Sequence, residues 1–276
     1  MIKKVLRYFK YIYFSYSFEK DTIIILSIRK SGTNYLRALI TNYLYIFYND
    51  KKTRTMHLDI DKNIFPNRRE GVYFNLQSYK KCKKDNPIWK AGYKDMMMSH
   101  WPDNIEFSKS RKIICVFRNP LDNLVSQYFF FSKNNTVKYQ FPNIMECVRA
   151  RIHHYFIILY KKFLKIQKTR GDVHLISYEN LLRYPEVQLN QVLLYLGIPV
   201  NQDKIKLAVQ FSSKEEVRKE EKSIKKAIHA EKLLKGSFIR SNSIFEWKKH
   251  FTKKDVSEIA NILNEHNIHL SEFYYK

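Results

Sequence analysis

The sequence predicts an α/β fold of three layers, with helices on both faces of a central parallel sheet. Three observations carry that reading. The run opening at Thr22 and Lys112 to Phe117 are short, apolar, β-branched runs, as strands buried on both faces require, and Asp172 to Ser177 reads as a third core strand. Each ends in a turn, and helical spacing resumes after it. Strand and helix therefore alternate, and in parallel sheets of this kind ligands lie beyond the carboxyl ends of the strands, so the three following loops should face one site.

At 276 residues with 45% hydrophobic composition the chain can build a substantial core, which excludes wholesale disorder. With no repeat, low-complexity linker or boundary, residues 1–276 read as one domain. The net charge of +24 points to an anionic partner: nucleotide, polyanion, nucleic acid or an acidic membrane face. Lysines that merely solvate the surface are the plain alternative. Cys82, Cys115 and Cys147 lack ligand or disulfide spacing, so no metal site or disulfide framework is expected and the default compartment is reducing.

Residues 1–20 start basic, but Arg7, Lys10 and several tyrosines interrupt the apolar residues; this is expected to be neither signal peptide nor spanning helix. Ile2, Val5, Leu6 and Phe9 share one helical face. An amphipathic helix packed on the domain is expected, with a membrane-surface helix as the second reading. From Thr22 a buried strand leads through Arg29–Asn34 into a helix marked by Tyr35, Leu36, Leu39 and Ile40. Such a strand–loop–helix aims backbone amides and a helix N-terminus at one point, so Arg29 to Tyr35 is expected to be an anion cradle. The polar stretch from Asn49 to Asn86 reads as surface loops, and Ile88 to Tyr93 as a short strand.

Lys112 to Phe117 is the second buried strand; Arg118 to Asp122 turns, and Leu124 to Phe131 continues as helix. Ile144 to Lys168 carries a long helical pattern that includes Val148, Ile152, Phe156, Leu159, Phe163 and Ile166. Asp172 to Ser177 is the third core strand, and Leu189 to Leu196 a helix closed by Gly197. Residues 214–235 form a charged helical or mobile segment, and an amphipathic helix near Asp255 to His266 ends the fold.

The cradle lacks the Gly-Lys-Ser/Thr order of the P-loop NTPases, because Lys30 precedes Gly32. Arg29-Lys30-Ser31-Gly32-Thr33-Asn34-Tyr35 resembles instead the 5′-phosphosulfate loop of sulfotransferases that use 3′-phosphoadenosine 5′-phosphosulfate (PAPS), usually P-K-S-G-T-T-W. Arg118 to Ser126, RNPLDNLVS, resembles that family's 3′-phosphate motif; Ser177-Tyr178-Glu179, with Leu196-Gly197 beyond, its Y-E-D…F-L-G stretch; and Arg240 to Thr252 its C-terminal R-K-G…G-D-W-K-x-x-F-T. The resemblance implies a P-loop-NTPase-like sulfotransferase fold and PAPS as donor, with no metal required.

The resemblance also implies roles. Lys30, His100 and Ser126 become the catalytic residues, Lys30 at the bond that breaks and His100 as the base. Ser31, Gly32, Thr33 and Asn34, beside Arg29, are expected at the 5′-phosphate; Arg118, Ser126 and Arg240 at the 3′-phosphate; Tyr35, Tyr178 and Ser212 along the nucleoside. Positioning and charge neutralisation are what such a transfer needs, and an imidazole suits the proton step. Three departures stand out. Met98 replaces a lysine frequent two residues before the family's histidine, Ser241 and Asn242 replace Lys-Gly, and Phe245 replaces a glycine.

The expected activity is transfer of a sulfuryl group to a hydroxyl or amine of an acceptor that is left open between sugar, lipid and small hydroxyl compound, with charge favouring an anionic or sugar acceptor, such as a glycan or glycolipid at a membrane face, over a small hydrophobic phenol. Location is expected to be cytoplasmic, with peripheral membrane contact open and no specific nucleic acid partner. A P-loop kinase-like phosphotransferase and a non-catalytic basic protein binding nucleotides or polyanions are the competing readings.

Overall fold

The computed structural model describes residues 21–49, 67–69, 87–93, 95–100, 112–133, 141–219 and 243–273. Its centre is β1 (Thr22–Ser27), whose six residues are all buried. Chain order then gives α1 (Thr33–Asn49), β2 (Asn67–Arg69), α2 (Pro87–Lys90), β3 (Asp95–Ser99), β4 (Lys112–Phe117) and α3 (Pro120–Lys133). The second half runs α4 (Ile144–Ile152), α5 (Ile158–Thr169), β5 (Val173–Ser177), α6 (Tyr178–Arg183), α7 (Pro185–Leu196), α8 (Gln202–Phe211) and α9 (Lys253–Asn264). The strands pair in parallel in the order β2-β3-β1-β4-β5.

A strand buried on both faces serves two cores at once. Ile23 and Ile25, with Ile114, Val116 and Ile176, pack against α1, α7 and α8. Ile24 and Leu26, with Ile113 and Cys115, pack against α3, α4, α5 and α9. Alternating residues of one strand thus feed opposite layers, and the expected α/β/α sandwich stands.

Several boundaries differ from expectation. Ile88 to Tyr93 is not a strand: Pro87 starts the short α2, and the strand is β3, in the methionine run. Proline suits the first helical position, while methionines form a strand here because β1 offers a ladder that propensity cannot see. The Asp172 to Ser177 run is an edge of the sheet rather than its interior, with Leu175 39% exposed. The long helical pattern is broken by a π-helical turn, His153–Ile157, between α4 and α5. The helix after Arg118 starts at Pro120 rather than Leu124. Gly197 closes α7 at φ 69° as expected, and Thr252 with Asp255 forms a capping box on α9. The amphipathic helix at 1–20, most of the 49–86 stretch and 220–235 lie outside the described residues; 214–219 is helical.

Candidate active site

Parallel pairing puts four chain segments on one rim. Ser27 of β1 stands beside Val116, Leu26 beside Ser99, and Phe117 beside Ser177. The cradle, His100, Arg118 and Tyr178 therefore all leave the sheet at its carboxyl edge.

The cradle is a tight turn with Lys30 at φ 69° and Gly32 at φ 86°. Gly32 is indispensable for a second reason: a Cβ there would lie 2.1 Å from Cδ2 of Tyr178. The Tyr178 ring is a wall against which the loop lies flat. Its other neighbour is the Arg118 guanidinium, 4.4 Å from the ring centroid. Arg118 also donates from Nη1 to the Lys30 carbonyl at 3.1 Å, locking its own turn to the cradle.

The carbonyl of Gly32 accepts from the amides of Tyr35 and Leu36. Gly32 thus occupies the cap of α1 without a capping side chain, and the amides of Thr33 and Asn34 have no carbonyl within the helix to take. Ser31 faces inward instead. Its amide donates to the Ile28 carbonyl at 3.2 Å, and its Oγ accepts from Asn123 Nδ2 at 3.2 Å. Ser31 braces the turn from within.

Sequence reasoning missed Asn123. The same Nδ2 donates to the Arg29 carbonyl at 2.8 Å, while Asn123 Oδ1 accepts from Gln127 at 2.6 Å. An Asn and a Gln four residues apart on a buried helical face were the available signal. Asp122 was equally unforeseen in its role. It does not spend its carboxylate on Arg118: Oδ2 accepts from the Phe245 amide at 2.7 Å and Oδ1 from the Trp247 amide at 2.9 Å. These amides grip the carboxylate as a backbone nest, and Phe245 takes φ 59° to complete it. Glu179, buried, accepts from the Asn119 amide at 2.9 Å, and burial pushes its carboxyl upward.

His100 is 8% exposed and tied to the cradle by a short chain. Thr33 Oγ1 donates to Ser27 Oγ at 2.5 Å, and His100 Nδ1 lies 3.1 Å from that oxygen and 3.0 Å from the Ser27 carbonyl. A carbonyl only accepts, so the network assigns the proton to Nδ1 and the basic lone pair to Nε2.

Lys30 extends toward α3, its Nζ 4.8 Å from the centroid of Phe130. Ser126 is half-buried on the same helix. Tyr35 is close enough to Tyr178 to feel its charge; burial first, and Tyr178 second, push its hydroxyl up to about 12. Ser212 is buried away from the cradle, accepting from Asn42 Nδ2 at 2.9 Å and donating to the Ala208 carbonyl at 2.8 Å, a brace between α1 and α8. Arg240 lies outside the described residues.

An anionic ligand suits this donor set. The Nε atoms of Arg29 and Arg118 are buried without a hydrogen-bond partner, an arrangement that costs free energy until an acceptor arrives. Among the described residues no cluster of His, Cys, Asp or Glu could hold a metal ion.

The family model for the sulfotransferase domain matches residues 20–271. The chain belongs to the sulfotransferase domain family. Sulfotransferase 2A2 of Rattus norvegicus is 25% identical over 272 residues, covering 90% of this chain and 84% of that protein. The 3-alpha-hydroxysteroid sulfotransferase of Cavia porcellus is 24% identical, covering 90% of this chain and 83% of its own. Among solved structures, mouse sulfotransferase SULT7A1 complexed with PAP superposes with a TM-score of 0.63 at 17% identity, covering 91% and 86% of the two chains. Retinol dehydratase in a complex with retinol and PAP gives 0.66 at 14% identity, covering 94% and 84%. Both share the fold of this sulfotransferase. No helix among the described residues is long and apolar enough to cross a membrane.

Proposed function

We propose that this sulfotransferase, a single domain over 1–276, moves a sulfuryl group from PAPS to a hydroxyl of its acceptor. One observation carries the residue assignment: the cradle and the Arg118 turn stand side by side on one rim, joined by the bond from Arg118 to the Lys30 carbonyl, and both hold buried guanidinium nitrogens short of an acceptor. That is a grip for two phosphate-like groups on one molecule. Thr33 and Asn34 amides, with Gly32 giving clearance, hold the 5′ end. Arg118 and Ser126, with Arg240, hold the 3′-phosphate. Tyr35 and Tyr178 flank the nucleoside.

PAPS supplies an activated sulfuryl group on a phosphate leaving group. Lys30 supplies from the cradle an ammonium to neutralise charge on the departing oxygen, and His100 Nε2 takes the acceptor's proton while Nδ1 stays anchored on Ser27. No step calls on a metal. The acceptor skeleton is read as apolar. Phe130, 37% exposed beside Lys30, offers an aromatic wall there, and the relatives named for hydroxysteroids point the same way. Net charge alone had favoured a glycan. A cytoplasmic location fits this acceptor class and the sequence.

The test joins binding to turnover. Adenosine 3′,5′-bisphosphate should raise the thermal midpoint without magnesium, while Mg·ATP should not; the reverse result would establish the kinase-like reading. Labelled sulfate from PAPS should pass to a hydroxysteroid or retinol pool in preference to sugar pools. Lys30→Ala should lower kcat by about 10²- to 10³-fold, and His100→Ala should abolish turnover with nucleotide binding retained. Salt-sensitive polyanion binding that survives both substitutions, without transfer, would favour the non-catalytic alternative.

A further inference from the structure

The site contains a cation that its chemistry has not yet used. Arg37, on the second turn of α1, is 1% exposed. Burying a guanidinium is costly and is sustained only by specific contacts. Its Nη1 donates to Asn34 Oδ1 at 3.0 Å and lies 3.7 Å from Met98 Sδ. Asn34 carries one of the uncapped amides at the cradle. Met98, on β3, stands two residues before His100, which follows the strand's end at Ser99.

We propose that Arg37 is a positioning residue for the donor site, an inference that rests on the sulfotransferase reading above. An asparagine side chain has an accepting and a donating end, and alone it could turn either toward an anion. A guanidinium cannot accept, so Arg37 claims Oδ1 and leaves Nδ2 as the end presented at the helix N-terminus. It thereby converts Asn34 into a dedicated donor, adding a side-chain N–H to the backbone amides. The positive charge itself, one turn behind the cradle in a desolvated layer, further favours an anion there. Through Met98 the same guanidinium touches the strand that delivers His100, so the donor and acceptor sides share one buried support.

The experiment measures calorimetric affinity for adenosine 3′,5′-bisphosphate in the full chain, with thermal midpoints as the control for folding. Arg37→Met and Asn34→Ala should each weaken binding by about tenfold, the worth of one charge-assisted contact. The double variant should lose clearly less than the product of the two single losses, because both remove the same Asn34 donor and only the charge effect of Arg37 adds to it. Restoring a cation through the contact already present, as Met98→Lys in the Arg37→Met background, should recover part of the charge effect, whereas a purely structural arginine would gain nothing. Should Arg37→Met not fold, Asn34→Asp decides: a carboxylate still pairs with Arg37 but cannot donate, so binding should fall at least about tenfold while the thermal midpoint holds. Wild-type affinity in Asn34→Asp, or full additivity of Arg37→Met with Asn34→Ala, overturns the role of Arg37. A wild-type protein that does not bind this nucleotide overturns the parent reading and this one with it.

Discussion

At Gly32 two requirements fall on one residue. The backbone is at φ 86°, and the Tyr178 ring fills the space a methyl would take. Gly32→Ala must therefore push the loop off its wall, since the ring is buried and cannot swing away. A displacement near 1 Å in a positioning site costs about 100-fold, and that is the loss expected in affinity for adenosine 3′,5′-bisphosphate, read by calorimetry on a protein whose circular dichroism is unchanged. Affinity within threefold of wild type, roughly the context scatter of one contact, would mean that the Tyr178 wall does not shape the cradle. Lys30, also at positive φ, makes the opposite compromise: it accepts backbone strain to keep a side chain at the same turn.

Elements were legible where one face repeats a chemical theme, and hidden where a partner decides. β1 and β4 announced themselves by unbroken burial. β3 did not, because three methionines carry no strand signature and their ladder comes from β1. The π turn at His153–Ile157 was invisible to a periodicity read at one fixed angle. Within the site, Lys30, Gly32, Arg118 and His100 could be placed from motif order, and the structure brings their segments to one rim. Asn123 and Asp122 could not be assigned, because their partners are backbone groups many residues away: Arg29 for one, Phe245 and Trp247 for the other.

Asp122 is also where α3 fastens the C-terminal segment. The hydrogen bonds that its 1%-exposed carboxylate accepts from the Phe245 and Trp247 amides are charge-assisted. Asp122→Ala should cost about 2 kcal/mol in urea unfolding, since two part-buried amides lose a charged acceptor. It should also weaken nucleotide binding, because the Phe245 and Trp247 segment loses the bonds that fasten it to α3 four residues beyond Arg118. Phe245 would then be free of the left-handed geometry it now holds at φ 59°. Unchanged stability would show that the nest contributes nothing to the fold.

For the molecule as a whole, the two cores on either side of β1 keep several phenols dry. Burial is the leading cause that pushes Tyr35, Tyr93 and Tyr195 each up to about 12. In the unfolded chain a tyrosine ionises near 10. Between those values the unfolded state has lost protons that the folded state keeps, so stability is full below about pH 10 and falls as pH rises toward 12. Urea midpoints at pH 9 and pH 11 should differ in that sense, and tyrosinate absorbance should show a late-titrating fraction that merges with the rest in denaturant. A single transition at the ordinary value would contradict the burial.

Among the described residues β5 is the last strand at one end of the sheet, and that bears on how the protein behaves in a tube. Val173–Ser177 bonds to β4 along one side, and Leu175 faces outward, an arrangement in which another copy could extend the ladder. Mutual repulsion at +24 holds copies apart. Salt shortens the reach of that repulsion to about 10 Å at 0.1 M, so colloidal stability should decline as ionic strength rises, with light scattering increasing in the same buffers chosen to weaken non-specific polyanion binding.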